Sequence, residues 1–196
     1  MRTIETNVFE FNELSDSAKE TAIQWYRSCI ESSDYAETVI YDAKEIGALF
    51  GLDIDEVYYS GFSSQGDGAC FVGKYSYKKG SLKAIKAYTP KYTELHDIVA
   101  RLQHIQRQSF YKLSARCTHS GHYYHSGCMS IDVDHDEGSY RVNNLIEQDI
   151  IDLLRQFADW IYRQLEKEYD YINFNENIIE NIICNEYEFD TNGNRA

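Results

Sequence analysis

Between residues 143 and 170 the apolar side chains Ile146, Ile150, Leu153, Phe157, Ile161 and Leu165 recur every three or four residues. That spacing predicts a long helix with one apolar stripe, and such a stripe needs an apolar surface of matching size to cover it. Residues 92–108 repeat the pattern with Leu95, Ile98, Val99, Leu102 and Ile105. The surface to be covered is predicted by runs of a different kind. "DEVYYSGF", "ACFVGKYSY", "FYKLSARCTHS" and "HYYHSGCMSIDVD" are rich in aromatic and β-branched residues and are broken by Gly and Ser, so they read as strands. The first two flank a polar loop, and the last two read as a hairpin with Ser120 and Gly121 at or near its turn. Connections this short join antiparallel neighbours. The expected fold class is therefore α+β: a mostly antiparallel sheet covered by amphipathic helices, with a long C-terminal helix.

The flanks fill in around this. Residues 3–11, "TIETNVFEF", alternate like a strand. Ser15 is placed to cap a helix, with Asp16 favouring its positive end, and Ala18, Ala22, Trp25, Tyr26 and Cys29 share one face of it. A second helix is predicted over about residues 34–50, with Val39, Ala43, Ile46 and Phe50 inward and Gly51 as its stop. "SLKAIKAY" reads as a short helix ended by Pro90, "NENIIENIICNEYEF" as another, and "DTNGNRA" as a frayed or turned tail. No internal repeat is visible. A single domain over residues 1–196 is expected, with a strand and two helices over 1–59, a basic strand-rich segment over 60–135 and a helical part over 136–196.

The net charge of −13 is unevenly spread. Residues 1–59 carry −9, residues 60–129 carry +7 and residues 130–196 carry −11. Acidic flanks repel a long polyanion, so extended nucleic acid is not the expected partner, whereas a small anion can meet the basic middle alone. "GKYSYKKGSLKAIKAYTPKY" interleaves Lys with Tyr, pairing groups that hold phosphate with groups that stack on bases. Seventeen Tyr against nine Phe add flat surfaces that also hydrogen-bond. The five cysteines are odd in number and scattered, and "MRTIETNVFEF" is too polar for an export signal, so reduced thiols in a cytoplasm are expected. No apolar run approaches the ~20 residues of a membrane span.

Two constellations carry the chemistry. "YSGFSSQGDGACF", residues 59–71, interrupts a strand pattern with more polar residues than a tight hairpin needs. It matches neither phosphate-binding glycine signature. Gly66 and Gly68 leave backbone N–H groups open, Ser63, Ser64 and Gln65 add donors, and Asp67 is an acceptor for a ribose hydroxyl or a base amine. Phe62 flanks the loop, and Lys74, Arg107 and Arg116 are the cations assigned to phosphate. The second constellation, "CTHSGHYYHSGC", packs Cys117, His119, His122, His125 and Cys128 into twelve residues. Its spacing fits no zinc finger, and alternation along a hairpin sends the ligands to opposite faces, so no metal and no cofactor are expected. His122, Tyr124 and His125 are assigned instead to a wall facing the loop. "DVDHDEG" lacks the closing Glu of a calcium loop. No Cys or Ser is spaced from a base in a way that selects a nucleophile, so an enzyme is not expected.

"TNVFEFNELSDSAKETAIQWYR" and "WIYRQLEKEYDYI" with "IIENIICNEYEF" resemble the two ends of small acidic accessory proteins of tailed phages and prophages, often labelled antitoxins of toxin–antitoxin systems; "SGFSSQGDGACF" and "GHYYH" resemble segments of their longer forms. The resemblance implies a phage accessory protein acting in the host bacterial cytoplasm, with counter-defence as its natural class, and carries no catalytic residues. Two functions follow as expectations. One is a binding protein that sequesters a small nucleotide immune signal without chemistry. The other is an acidic antitoxin or DNA mimic that blocks a host defence protein. A hydrolase built on the histidines is a weaker third. A homodimer is the expected assembly.

Overall fold

The periodicities of the sequence become six strands and six helices among the described residues of a computed structural model, which are 7–31, 35–136 and 142–196. In chain order they are β1 (Phe9–Glu10), α1 (Asp16–Glu31), α2 (Ala36–Phe50), β2 (Leu52–Tyr59), β3 (Ala69–Ser76), α3 (Ser81–Tyr88), α4 (Thr93–Gln108), β4 (Leu113–His119), β5 (Met129–His135), α5 (Asn144–Asn173), α6 (Asn175–Cys184) and β6 (Glu188–Phe189). The chain is α+β, as expected. It forms two compact units, Met1–Ala36 with Lys167–Ala196, and Glu37–Glu166.

In the first unit the two ends of the sequence meet. β1 pairs antiparallel with β6, Phe9 opposite Phe189. Of the strand expected over 3–11, residues 3–6 lie outside the described residues and only Phe9–Glu10 is extended. Phe11–Glu13 turns into a 3-10 helix because the Glu13 carboxylate accepts from the Glu10 N–H at 2.9 Å, a reciprocal cap. Ser15 caps α1 as expected, its Oγ accepting from Ala18 N at 3.4 Å. Phe11, Leu14, Ala18, Ala22, Ile178, Ile182 and Phe189 form the core of this unit. Cys29, expected on the inward face, is exposed. The second C-terminal helix ends at Cys184, earlier than expected, because Glu186 takes a positive φ of 53° and returns the chain as β6. The tail is turned rather than frayed. The Asp190 Oδ1 accepts from Asn192 N and Asn194 N at 2.8 and 2.9 Å.

The second unit is built on a four-stranded sheet in the order β2-β3-β4-β5, antiparallel at every step. α3 and α4 connect β3 to β4. One face of the sheet buries Leu52, Val57, Phe71, Tyr75, Leu113, Ala115, Cys117, Met129 and Ile131. The inward stripes of α2, α4 and α5 supply Ile46, Phe50, Leu95, Ile98, Leu102, Ile150, Leu153 and Phe157, all buried. Phe157 lies with its ring centroid 5.1 Å from that of Phe50, 6.1 Å from Phe71 and 5.7 Å from Trp160. Gln106 is the most deeply buried polar residue among the described residues, and it is satisfied: its Nε2 donates to Leu113 O at 2.7 Å and its Oε1 accepts from Leu113 N at 3.3 Å. Gly51 ends α2 in the left-handed region, at φ +91°, which glycine adopts without strain. No described helix is long and apolar enough to cross a membrane.

The hairpin expected around Ser120 and Gly121 is wider than the sequence pattern indicates. His119 pairs with Met129, so residues 120–128 form a nine-residue connection that ends in a 3-10 turn at Ser126–Cys128. His122, Tyr124 and His125 lie in this connection rather than on strands. Strand alternation therefore does not set where their side chains point, and the alternation argument against zinc does not apply.

Candidate functional site

Residues directly opposite each other in an antiparallel ladder share a face. On the face of the sheet away from the buried core, Asp53 pairs with Lys74, Lys74 with Arg116 and Arg116 with Asp132. All four are exposed. They form one row across four strands with charges minus, plus, plus, minus. Like charges directly opposite on adjacent strands destabilise a sheet. Among the described residues neither cation forms an ion pair within 4.0 Å; Arg101 pairs with Asp97 and Arg163 with Glu94. The central like-charge contact is unfavourable and is offset only by the two flanking opposite-charge contacts, so the row as a whole adds little to folding.

At one end of the same face lies the β2–β3 loop. Ser60 N donates to Gly68 O at 3.0 Å, and Gly68 N donates to the Ser60 Oγ at 3.1 Å, closing its base. The Asp67 carboxylate then turns back into it. Oδ2 accepts from Ser63 N at 3.0 Å and Ser64 N at 2.6 Å. These bonds, the one from Ser64 foremost, hold the Asp67 carboxyl below its ordinary range. The loop is polar largely because it satisfies itself. The Ser63 and Ser64 amides and this Asp67 oxygen, offered to a ligand on sequence grounds, are occupied within the loop. Phe62 anchors its other side, stacked 5.4 Å from Tyr162 and 6.4 Å from Tyr59, while the Tyr162 hydroxyl donates to Gly61 O at 2.9 Å. Ser63, Ser64 and Gln65 are exposed.

The β4–β5 connection packs against this loop. A Cβ placed on Gly68 would lie 2.6 Å from the Cα and Cβ of His125, so the two backbones approach where only a glycine fits. Tyr58, Tyr124 and His119 form one cluster, with Tyr58 and Tyr124 stacked at 5.6 Å and 14°, and His119 5.6 Å from Tyr58 and 5.3 Å from Tyr124. The Tyr58 hydroxyl donates to Glu56 Oε2 at 2.5 Å, and that bond is the main reason its acidity is weakened. Both ring nitrogens of His119 are buried with no hydrogen-bond partner. A neutral imidazole carries one donor and one acceptor, and leaving both unmet costs about 1–3 kcal/mol each. Such orphaned groups in a native fold call for an explanation, of which a bound molecule is one.

The structure therefore brings the loop, Tyr124 and His125 together at one end of the face, and sets Lys74 and Arg116 side by side further along it. His122 is exposed on the connection. Arg107 is set apart, on the last turn of α4 beside Gln106, whose side chain is buried against Leu113 on the opposite face of the sheet. Tyr58 and Glu56 were missed by sequence reasoning, because nothing local to residues 56–58 signals that Tyr124 of the β4–β5 connection stacks on Tyr58. His119 and Cys128 were visible in the histidine-rich run. Among the described residues no group of three or more His, Cys, Asp or Glu side chains is placed to hold a metal ion. A cavity of about 370 Å³ lined by Gln108, Phe110, Leu113, His135, Val142 and Ile146 lies at the start of β4, six residues and about 20 Å from His119.

The family model described as "Domain of unknown function (DUF8835)" matches residues 35–174. The chain belongs to this family. No curated protein and no solved structure matches it. The match spans the whole sheet, α2 to α5 and every residue of the candidate site, while β1, α1, α6 and β6 lie outside it.

Proposed function

We propose that this DUF8835 protein is a binding protein that sequesters a small anionic nucleotide on the outward face of its sheet, without chemical change to it, in the service of phage counter-defence. The observation that carries the reading is the directly opposed pair Lys74 and Arg116, exposed and without an ion-pair partner among the described residues, on the same face as the stacked rings of Tyr58 and Tyr124. Cys70, the partner of Tyr58 in the ladder, is four residues from Lys74 along β3. That is about 13 Å at about 3.3 Å per residue. The separation suits a molecule with a flat base at one end and phosphate at the other. In this reading Tyr124 and Tyr58 offer the stacking surface, and His119, opposite Met129 with both ring nitrogens buried, packs against them rather than meeting the base edge. Lys74 and Arg116 hold phosphate, Arg116 with the geometry for two parallel bonds. Asp67 stiffens the loop beside them rather than touching the ligand.

The acidic-mimic alternative asks for closely spaced exposed carboxylates. On α5 the exposed Asp149 and Asp152 lie about 4.5 Å apart along the helix axis, near the ~3.4 Å of axial rise per phosphate of a DNA strand, but the next exposed carboxylate, Asp159, is about 10.5 Å further on, so they do not continue into a stripe at phosphate spacing. The sheet face therefore supports the binding reading better. The test is calorimetric titration of the purified protein with mononucleotides, cyclic dinucleotides and cyclic trinucleotides at low and high salt. Saturable binding of one class, weakened by salt, is the expected result. Absence of binding by every class at low salt, with tight binding to a host protein instead, would replace this reading with the alternative.

A further inference from the structure

We propose that Cys128 is a reactive thiol served by His125 as its base, and that it is the site at which this protein is oxidised by hydroperoxides. The inference stands whether or not the sheet face binds a nucleotide.

The five cysteines occupy three kinds of environment. Cys70 and Cys117 are fully buried, and burial pushes their thiols up to about 11 and about 12. They are held as inert neutral thiols. Cys29 and Cys184 are exposed, in the other unit. Cys128 is half-buried, and its Sγ lies 3.1 Å from Nε2 of His125 and 3.7 Å from Nδ1. The nearer nitrogen is at a distance for direct proton transfer.

This pairing is built, not incidental. His125 and Cys128 are three residues apart on the 3-10 turn, whose Cys128 N donates to His125 O at 2.9 Å. Gly127 leaves the ring room as it folds back over the turn; a Cβ there would lie 3.0 Å from Nδ1 and 3.1 Å from Cε1, so the ring would have to give by a few tenths of an ångström. On the other side Gly68 admits the His125 backbone against β3, as described above. Neither Gly68 nor Gly127 has a left-handed φ. What these two glycines contribute is space, and both spaces are filled by His125.

The chemistry is limited by what surrounds the thiol. Acyl transfer needs free N–H donors for an oxyanion. The Cys128 amide is bonded to His125 O, so that donor is occupied. Attack on a peroxide needs only a thiolate and a proton donor for the leaving oxygen. His125 takes the S–H proton, the thiolate sulfur attacks one oxygen of the hydroperoxide, and the O–O bond breaks. Sulfur is oxidised by two electrons to the sulfenic acid, and the peroxide is reduced to an alcohol or water, taking its proton from the imidazolium.

The test treats native protein with limiting hydrogen peroxide in the presence of dimedone and follows each cysteine by peptide mass spectrometry. Cys128 is expected to label at least about tenfold faster than Cys29 and Cys184, and His125→Asn to bring it down to their rate. Gly127→Ala, which keeps both side chains but crowds the ring, is expected to slow it as well. Circular dichroism confirms that each variant is folded. Labelling of Cys128 no faster than the two exposed thiols in the unmodified protein overturns the proposal without any variant. An unchanged rate in folded His125→Asn overturns the role of the imidazole.

Discussion

Replacing Lys74 and Arg116 together by Gln separates a binding role for the charged row from a structural one. In the row, Asp53 attracts Lys74, Lys74 repels Arg116, and Arg116 attracts Asp132. Each cross-strand term is worth about 0.2–1 kcal/mol. None is a close ion pair, and the side chains are exposed, so the low end applies. The double substitution removes two attractions and one repulsion, leaving a net loss of one small term, well under about 1 kcal/mol. For a chain of this size that moves the melting temperature by less than about 4 °C. Binding responds very differently. Each charge-assisted hydrogen bond to phosphate contributes about 1.5–3 kcal/mol, so losing two weakens the complex by roughly a hundredfold or more. Thermal denaturation and calorimetric titration on the same preparations read both quantities. Unchanged melting with affinity lost is the expected outcome. Retained nucleotide affinity in the folded variant refutes the assignment of phosphate to this pair. A fall of several kcal/mol in stability refutes the account of the row as energetically near neutral.

Two further expectations follow from the hydrogen bonds. Asp67→Ala should speed amide exchange at Ser63 and Ser64, read by NMR. Because the folded chain holds the Asp67 carboxyl below its ordinary value, its contribution is present above about pH 4 and is lost only as pH falls through the lowered folded value. Gln106→Ala leaves both the N–H and the C=O of Leu113 without that partner, and should cost about 1–3 kcal/mol in denaturant unfolding; a change within a few tenths would show that the pair is met in another way.

How much of the site could be read in advance depended on whether its signal was local. The Ser-Ser-Gln-Gly-Asp-Gly run marked the loop correctly as unusual, yet its content was misjudged, because Asp67 bonding to amides three and four residues back is one of several short-range options such a segment has. The histidine-rich run was conspicuous for the same local reason. Its geometry was not legible, because the end of a hairpin is set by the register of the strands, and His119 opposite Met129 moved three of the singled-out residues off the ladder. Lys74 and Arg116 were visible only as two cations 42 positions apart. Arg107 was grouped with them on charge alone, and the fold put it on a helix packed behind the sheet.

The sequence by itself determined the helices, the strand runs and their α+β class. α4 and α5 fall within three residues of the spans their apolar spacing predicts, and Gly51 stops α2 as expected. These features depend on contacts three or four residues apart, or on the backbone freedom of one residue, so the local order of side chains suffices. Tertiary structure alone decided the pairing of β1 with β6 across about 180 residues, the minus-plus-plus-minus row, the packing of Tyr58 against Tyr124 and His119, and the seating of His125 on Cys128 between two glycines. Most of these join residues far apart in the chain. Even the near-neighbours His125 and Cys128 are held by a strand that arrives from elsewhere. Long-range pairings are chosen by which registers bury the most apolar surface while meeting every backbone hydrogen bond, a condition on the whole chain at once that no short window contains.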